Sequence, residues 1–227
     1  QYLLSTEGFA EPPVQIPRAY LENLFDRFSG QFDERLLNKL AYKIPELLFD
    51  LFCKVAKKQG VLNSCKTLVD LGCGTGLSGK YFKSVCDSLI GVDLSSEMIE
   101  KARLTGAYHE LVVSEIVAYL KSNSLPIDVL IATDVFIYFG ELDAILKACR
   151  NRQNSAGLLV FSVEALASSN QQPAFQLSGT GRFQHHKQYV SRSAQSAGYA
   201  VLNCSQEVLR REGGCDVIGY LFVLIAK

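Results

Sequence analysis

Lys66–Lys80, KTLVDLGCGTGLSGK, decides the fold of this 227-residue chain. The stretch opens as a short apolar run, ends that run in Asp70, and then breaks into glycines at alternate positions. Helical spacing resumes at Leu77, so the glycines occupy a turn between a buried strand and a helix. In such a turn the backbone can approach a ligand closely, and the first amides of the helix offer hydrogen-bond donors. The stretch therefore predicts a site for a nucleotide-like cofactor.

The composition is that of an ordinary globular protein. Apolar residues make up 48% of the chain and charged residues 20%, and 23 basic residues balance 23 acidic ones. A chain of this length can bury a substantial core. Its neutral net charge gives no support for binding nucleic acid or an anionic membrane through bulk electrostatics. We expect a small-molecule partner and a monomer or homodimer.

The seven cysteines are scattered along the chain, and no two form a Cys-x-x-Cys pair. This spacing argues against a disulfide framework and against a zinc site, so we expect reduced thiols, no metal and a cytoplasmic location. No apolar run is long enough to span a bilayer, and the first residues lack the pattern of a signal peptide. No association with a membrane is therefore expected.

The first 60 residues divide into an irregular arm and a helical appendage. Residues 1–17 are polar and contain three prolines, so no structure is assigned to them. Residues 18–60 have apolar positions at helical spacing, which predicts a first helix, a second helix capped by Asp33, and a third that begins near Pro45 and ends at Gly60. We interpret this segment as a helical lid.

Residues 61–227 alternate strand-like and helical runs. The parallel strand candidates are TLVDL, SLIGVDL, ELVV, IDVLIATDV and GLLVFSVEA. This βαβ alternation predicts a doubly wound, Rossmann-like sheet of the α/β class. Two further strand-like runs flank the tight turn REGG near the end of the chain and must pair antiparallel. We therefore predict seven strands, mostly parallel and closed by an antiparallel hairpin, with a functional loop at Ala167–Gly181.

Two cofactor classes compete for the glycine turn. Gly74, Gly76 and Gly79 satisfy the G-x-G-x-x-G fingerprint of dinucleotide binding, with Asp93 near the place of a ribose-binding acid. The carboxylate of Asp70, however, would crowd a pyrophosphate, whereas it could pair with an ammonium group. S-adenosylmethionine needs such an acceptor, together with donors for its carboxylate and an acid for its ribose. A nicotinamide oxidoreductase and a non-catalytic binding module remain the alternatives.

The sequence VDLGCGTG, followed by GVDLSSEMIEKA, resembles the first two motifs of the class I S-adenosylmethionine-dependent methyltransferases. The outer segments are similar to those of bacterial methyltransferases that often carry tetratricopeptide repeats, but this chain has no such repeat. The resemblance implies transfer of a methyl group from S-adenosylmethionine to an oxygen or nitrogen of a small-molecule acceptor. S-adenosylhomocysteine would be the product.

The resemblance also implies a set of cofactor contacts. Asp70 and the three glycines of the turn would line the methionine and ribose portion, and Asp93 would hold the ribose hydroxyls. The glycines in question are Gly72, Gly74 and Gly76. The further residues implied beside adenine and the methyl-bearing sulfur are Leu94, Met98, Glu115, Ile116 and Thr133.

Candidate catalytic and acceptor-binding residues follow the fourth strand and the late loop. In the family Asp134 would lie beside the sulfur, with Tyr138 just beyond it. If they face the site, His185 could deprotonate a nucleophile and Arg182 could bind an acidic substrate. The lid would contribute the substrate-binding aromatic residues Phe28 and Tyr42.

Several of these assignments have a structural alternative. Met98 could be a core residue of an amphipathic helix, and Glu115 could favour a helix N-terminus through its charge. Phe28 and Tyr42 could pack the helical appendage, and His185 could be a solvated residue at a helix start.

Overall fold

The computed structural model describes residues 2–6, 13–28, 40–61, 64–122, 124–167 and 173–227. The helix expected to begin at Asp33 lies outside these residues. The helices are α1 (Tyr2–Thr6), α2 (Arg18–Phe28), α3 (Ile44–Gln59), α4 (Gly79–Phe82), α5 (Ser96–Leu104), α6 (Ile116–Ser122), α7 (Asp143–Arg152) and α8 (Lys187–Ser196). The strands are β1 (Thr67–Leu71), β2 (Ser88–Asp93), β3 (Glu110–Val113), β4 (Ile127–Ala132), β5 (Gln153–Ala165), β6 (Phe175–Leu177), β7 (Phe183–His185), β8 (Tyr199–Glu212) and β9 (Cys215–Ala226).

The strands form one mixed sheet. Its parallel part has the order β3-β2-β1-β4-β5, and β9 then pairs antiparallel with both β5 and β8. Helices fill the crossovers between the parallel strands, so the doubly wound fold and its antiparallel end are confirmed. The carboxyl ends of β1, β2 and β4 meet at one edge of this sheet, which is where ligands bind in such folds.

Two short strands add to the seven predicted. β6 and β7 pair antiparallel, and β7 also runs parallel to the last residues of β5, Glu164 and Ala165. Both strands lie in or beside the segment expected to be a loop, and each has only three residues. A run of that length is too short to display an alternating pattern. The sheet therefore has nine strands within the described part of the chain.

Helix α3 belongs to the core of the domain. Ile44, Leu48 and Phe52 are fully buried and pack with apolar residues of β1, β4 and β5. Pro45 occupies the first turn, where its missing amide costs no hydrogen bond. Gly60 ends the helix in the left-handed conformation with φ 72°, as predicted from the sequence. The helix is a layer on the sheet, not an appendage beside it.

The N-terminal arm follows the carboxyl edge of the sheet where it is described. The Ile16 amide donates to the Tyr138 carbonyl at 3.0 Å, and Gln15 forms an antiparallel bridge with Phe139. The Tyr2 hydroxyl donates to the Gly181 carbonyl at 2.5 Å. Part of a stretch to which the sequence assigns no structure thus leads α2 over this edge.

All seven cysteines carry free thiols. None of the described helices combines the length and apolar character needed to cross a bilayer.

Candidate functional site

A cavity of about 440 Å³ lies at the carboxyl edge of the parallel strands. The turn after β1 and the residues that follow β2, β3 and β4 form its floor, and α2 contributes to its wall. Because β1 and β4 are neighbours in the sheet, the cavity lies at the point where the strand order reverses. The fold therefore brings together residues that are far apart in sequence.

Gly72 and Gly74 are required in the turn for different reasons. Gly74 has φ 54°, and a Cβ there would meet no atom of the described residues within 4 Å, so its backbone is open on this side. At Gly72 a Cβ would lie 2.5 Å from a methyl carbon of Val135. Gly72 and Gly74 line the cavity as expected, whereas Gly76 is not among the lining residues.

Asp93 fastens the end of β2 to the glycine turn. Its Oδ2 accepts a hydrogen bond from the Gly74 amide at 2.8 Å, and its Oδ1 accepts one from the Ser95 amide at 2.9 Å. Burial raises the pKa of Asp93, while these amide donors act in the opposite direction. The carboxylate is thus held in a fixed orientation on the cavity wall, where it can accept further hydrogen bonds from a polyol.

Asp70 lies behind the glycine turn. It is fully buried and is absent from the cavity lining, which contradicts the expectation that it lines the methionine portion. The Tyr108 hydroxyl donates to its Oδ2 at 2.7 Å, and its Oδ1 has no partner among the described residues. Burial raises the pKa of Asp70 to about 7, although the Tyr108 hydrogen bond opposes this shift. Asp70 can therefore support the turn without touching a ligand directly.

Tyr108 is a site residue that the sequence analysis missed. Its ring occupies the space beside three glycines: Cβ atoms on Gly76, Gly79 and Gly91 would lie 3.1, 2.6 and 2.9 Å from ring carbons. The last glycine of the G-x-G-x-x-G pattern is thus explained by the Tyr108 ring and requires no pyrophosphate. No local motif identifies Tyr108, because its hydrogen bond to Asp70 joins residues 38 positions apart.

The residues expected near adenine line one part of the cavity. They are Leu94, Met98, Glu115 and Ile116. Met98 is also a core residue, with 1% of its surface exposed. Glu115 accepts hydrogen bonds from the Val117 and Ala118 amides at 3.0 and 2.8 Å, so its carboxylate caps α6. Both structural alternatives therefore hold, although both side chains remain on the cavity wall.

Thr133, Asp134 and Tyr138 follow β4 and line the cavity as expected. The Ser78 hydroxyl donates to the Thr133 hydroxyl at 3.0 Å. Asp134 has φ 60°, and its amide lies 2.9 Å from the Ser162 hydroxyl, to which it donates. Tyr42 reaches the same region, and burial raises the pKa of both Tyr42 and Tyr138 above the ordinary value. Both phenols therefore stay protonated at neutral pH.

A buried ionic network closes this part of the cavity. Arg210 donates to Asp134 at 3.0 Å, lies 3.5 Å from Glu212, and also pairs with Glu164. Arg182 donates to Glu164 at 2.8 Å and pairs with Glu212. Burial lowers the pKa of Arg210, but these carboxylates outweigh it and raise the pKa above its ordinary value. Of the five, the sequence analysis identified only Asp134 and Arg182.

His185 does not reach the cavity, so its assignment as a catalytic base is wrong. It is fully buried, and its Nε2 lies 2.9 and 3.1 Å from the carbonyl oxygens of Phe139 and Gly140. Nε2 must therefore carry the proton and donate. Burial lowers the pKa of His185 to about 4, which keeps the ring neutral at physiological pH. The residue braces the segment after β4.

Helix α2 covers the cavity. The ring of Phe25 meets that of Tyr138 edge-on at 5.6 Å, and the Ser95 hydroxyl donates to the Asp26 carboxylate at 2.5 Å. Phe28 is the last residue of α2, and its side chain lies outside what the structure describes. Further lining residues from this helix are Arg18, Tyr20, Leu21 and Leu24.

Residues 69–161 match a family model described as a methyltransferase domain. Malonyl-(acyl-carrier protein) O-methyltransferase of Hamiltonella defensa subsp. Acyrthosiphon pisum (strain 5AT) is 26% identical over 168 residues. That alignment covers 73% of this chain and 59% of the relative. The chain thus spans less than two thirds of the length of this curated relative.

Two solved structures share the fold over nearly the whole chain. Magnesium protoporphyrin IX methyltransferase from Synechocystis PCC 6803, with bound S-adenosylhomocysteine, has a TM-score of 0.69 and 12% identity, covering 93% of this chain and 100% of that one. The 4+2 cyclase SpnF has a TM-score of 0.68 and 15% identity, covering 94% and 97%. Residues 69–161 thus match a methyltransferase domain, and the chain as a whole has the fold of these two solved structures.

Proposed function

We propose that this chain transfers the methyl group of S-adenosylmethionine to an oxygen or nitrogen atom of a small-molecule acceptor. The observation that carries the proposal is the double hydrogen bond that holds Asp93 against the Gly74 and Ser95 amides on the cavity wall. When bound, the cofactor would supply an activated methyl group: the lone pair of the acceptor would form the bond to the methyl carbon, the carbon–sulfur bonding pair would stay on sulfur, and the proton of the acceptor would be released to solvent.

Several residues fit this cofactor. Asp93 would accept hydrogen bonds from the two ribose hydroxyls, and the backbone at Gly74 allows close approach because none of the described residues occupies the space beside it. Apolar side chains of Leu94, Met98 and Ile116 line the part of the cavity that would hold adenine. The cavity therefore offers a polar acid for the sugar and apolar surfaces for the base.

The remaining cavity residues would serve the acceptor. Methyl displacement needs alignment of the nucleophile and exclusion of water more than covalent assistance. Phe25 on α2 and Tyr138 after β4 meet across this region and would shield it from solvent. Asp134 supplies a carboxylate at the end of β4, where the nucleophile of the acceptor could donate a hydrogen bond.

Calorimetry tests the cofactor assignment directly. We expect S-adenosylhomocysteine to bind and NAD not to bind. Asp93→Ala should weaken S-adenosylhomocysteine binding at least tenfold, roughly 1.4 kcal/mol, because the charge-assisted hydrogen bonds to the ribose are lost. Asp87→Ala, at the exposed amino end of the same strand region, is the matched control and should bind normally.

Tight NAD binding, or an unchanged affinity in Asp93→Ala, would contradict the cofactor assignment. A broad acceptor screen with methyl-labelled S-adenosylmethionine then separates an enzyme from a binding module. Labelled product is the expected outcome, and cofactor binding without any methylation would contradict the transfer activity.

A further inference from the structure

The acceptor end of the cavity contains two arginines, and neither guanidinium is free. Arg210 has only 2% of its side chain exposed and faces Asp134, Glu164 and Glu212. Its donors are already directed at carboxylates on three sides. An anionic ligand would have to displace one of these partners from a buried position, which is costly.

The guanidinium of Arg182 is likewise paired with carboxylates. Its guanidinium donates to Glu164 at 2.8 Å and also pairs with Glu212. The structure thus contradicts the expectation that Arg182 offers a free cation to an acidic substrate. Arg18 is the remaining cationic lining residue in the described part of the chain, and 64% of its side chain is exposed on α2, where water screens its charge.

The ionic network carries an excess of negative charge when all its members are ionised. Two guanidinium groups face three carboxylates, those of Asp134, Glu164 and Glu212. Protonation of Asp134 would not release a cation, because Glu164 and Glu212 each contact both arginines. Like charges brought together in a poorly solvated site repel strongly, so this region disfavours a ligand carboxylate.

Asp134 has acceptor capacity left for a ligand. Its carboxylate lines the cavity, and the network engages it only through one nitrogen of Arg210, at 3.0 Å from Oδ2 and 3.4 Å from Oδ1. An ionised carboxylate can accept about four hydrogen bonds. A hydrogen-bond donor on the ligand therefore finds a partner here, whereas another carboxylate does not.

We propose that the acceptor presents an N–H or O–H group, that of an amine or an alcohol, to Asp134, and that the network of Arg182, Arg210, Glu164 and Glu212 excludes carboxylate acceptors. This inference rests on the proposed function and specifies its substrate class. It also separates this chain from any methyltransferase that esterifies a free carboxylate through an unpaired arginine.

The test compares three ring compounds of matched size on the protein loaded with S-adenosylhomocysteine: benzylamine, benzyl alcohol and benzoate. Binding is measured at pH 7.5 by saturation-transfer NMR and titration. We expect benzylamine, which is protonated at this pH, or benzyl alcohol to bind at least tenfold more tightly than benzoate.

A charge variant checks that the network causes the selection. Glu212→Gln leaves two guanidiniums facing two carboxylates, so the binding ratio should shift toward benzoate by threefold or more. Glu207→Gln, an acid on the same strand that does not line the cavity, should leave the ratio unchanged. Retained binding of S-adenosylhomocysteine shows that each variant is folded.

The two proposals fail in different ways. If S-adenosylhomocysteine does not bind, the proposed function is wrong. If S-adenosylhomocysteine binds but benzoate binds as tightly as benzylamine and benzyl alcohol, the inference about the acceptor is wrong while the cofactor assignment stands. A ratio that Glu212→Gln does not change would also overturn it.

Discussion

At the scale of single residues, the glycine turn is supported by a buried tyrosine–carboxylate pair that no sequence motif predicts. Tyr108 donates to Asp70 at 2.7 Å and packs against the glycine turn. The pair lies within electrostatic reach of Asp93, the acid that we assign to the ribose. It therefore influences both the stability of the domain and the shape of the cofactor site.

Tyr108→Phe should destabilise the protein by about 1–3 kcal/mol at pH 8, because it leaves an ionised, buried carboxylate without its donor. Urea unfolding measures this loss. Tyr81→Phe, a half-buried tyrosine on the neighbouring α4, is the matched control and should cost less than 1 kcal/mol. Equal losses in the two variants would show that the Asp70 contact contributes nothing.

Asp70 should also make stability depend on pH. Its pKa rises from 3.8 to about 7 on folding, so the folded state binds a proton more tightly than the unfolded state. The free energy of unfolding should therefore decrease as the pH rises from 4 to 7, by up to about 4 kcal/mol. Asp70→Asn removes this loss, so its stability relative to the wild type should increase across that interval.

His185 makes the stability of the fold depend on pH in the opposite direction. Its pKa falls from 6.5 to about 4 on folding, so its contribution is present above pH 6.5 and is lost as the pH falls toward 4. Because the wild type and Asp70→Asn both contain His185, the difference between their free energies of unfolding isolates the contribution of Asp70. Parallel stability profiles for the wild type and Asp70→Asn would contradict the assignment.

At the scale of elements, the long, regular pieces of the fold could be predicted and the short ones could not. The parallel strands and the terminal hairpin follow from runs of apolar residues and tight turns, and α3 follows from Pro45 and Gly60 at its ends. β6 and β7, each of three residues, leave no periodic signal. Sequence spacing also gave no sign that α3 packs on the sheet.

Gly74 in the turn and Gly79 at the start of α4 should respond differently to alanine. Gly74→Ala introduces a side chain at φ 54° that projects into open space, so it should cost about 1 kcal/mol in stability and weaken S-adenosylhomocysteine binding more strongly than it weakens the fold. Gly79→Ala would place a Cβ 2.6 Å from the Tyr108 ring and should destabilise the fold by about 1–3 kcal/mol.

Thermal unfolding and calorimetry on both variants separate these effects. Gly79→Ala should cost less stability in a Tyr108→Leu background than in the wild type, because its shortest contacts are with the Tyr108 ring. If the Tyr108→Leu background lowers the cost of Gly74→Ala equally, the distinct roles of the two glycines are contradicted.

At the scale of the whole molecule, the site joins segments from the entire length of the chain. The contact between Arg210 and Asp134 spans 76 positions, and the contact between Asp26 and Ser95 spans 69. Motif spacing pointed to Gly72, Gly74 and Asp93, because these residues lie within one βαβ unit. The ionic network and the partners of His185 depend on tertiary packing, so local sequence could not reveal them.

Helix α2 should control how long the cofactor stays bound. Asp26→Ala removes the hydrogen bond that ties this helix to Ser95, so S-adenosylhomocysteine should dissociate at least threefold faster in stopped-flow experiments. Asp50→Ala, an exposed acid on α3, is the control. An unchanged dissociation rate in Asp26→Ala would mean that α2 does not restrain the cofactor.

A crystal structure with S-adenosylhomocysteine tests the central claim most directly. We predict that both ribose hydroxyls bind the Asp93 carboxylate, that adenine lies among Leu94, Met98 and Ile116, and that the sulfur points toward Asp134. A ligand whose ribose makes no contact with Asp93, or which lies outside this cavity, would contradict the account.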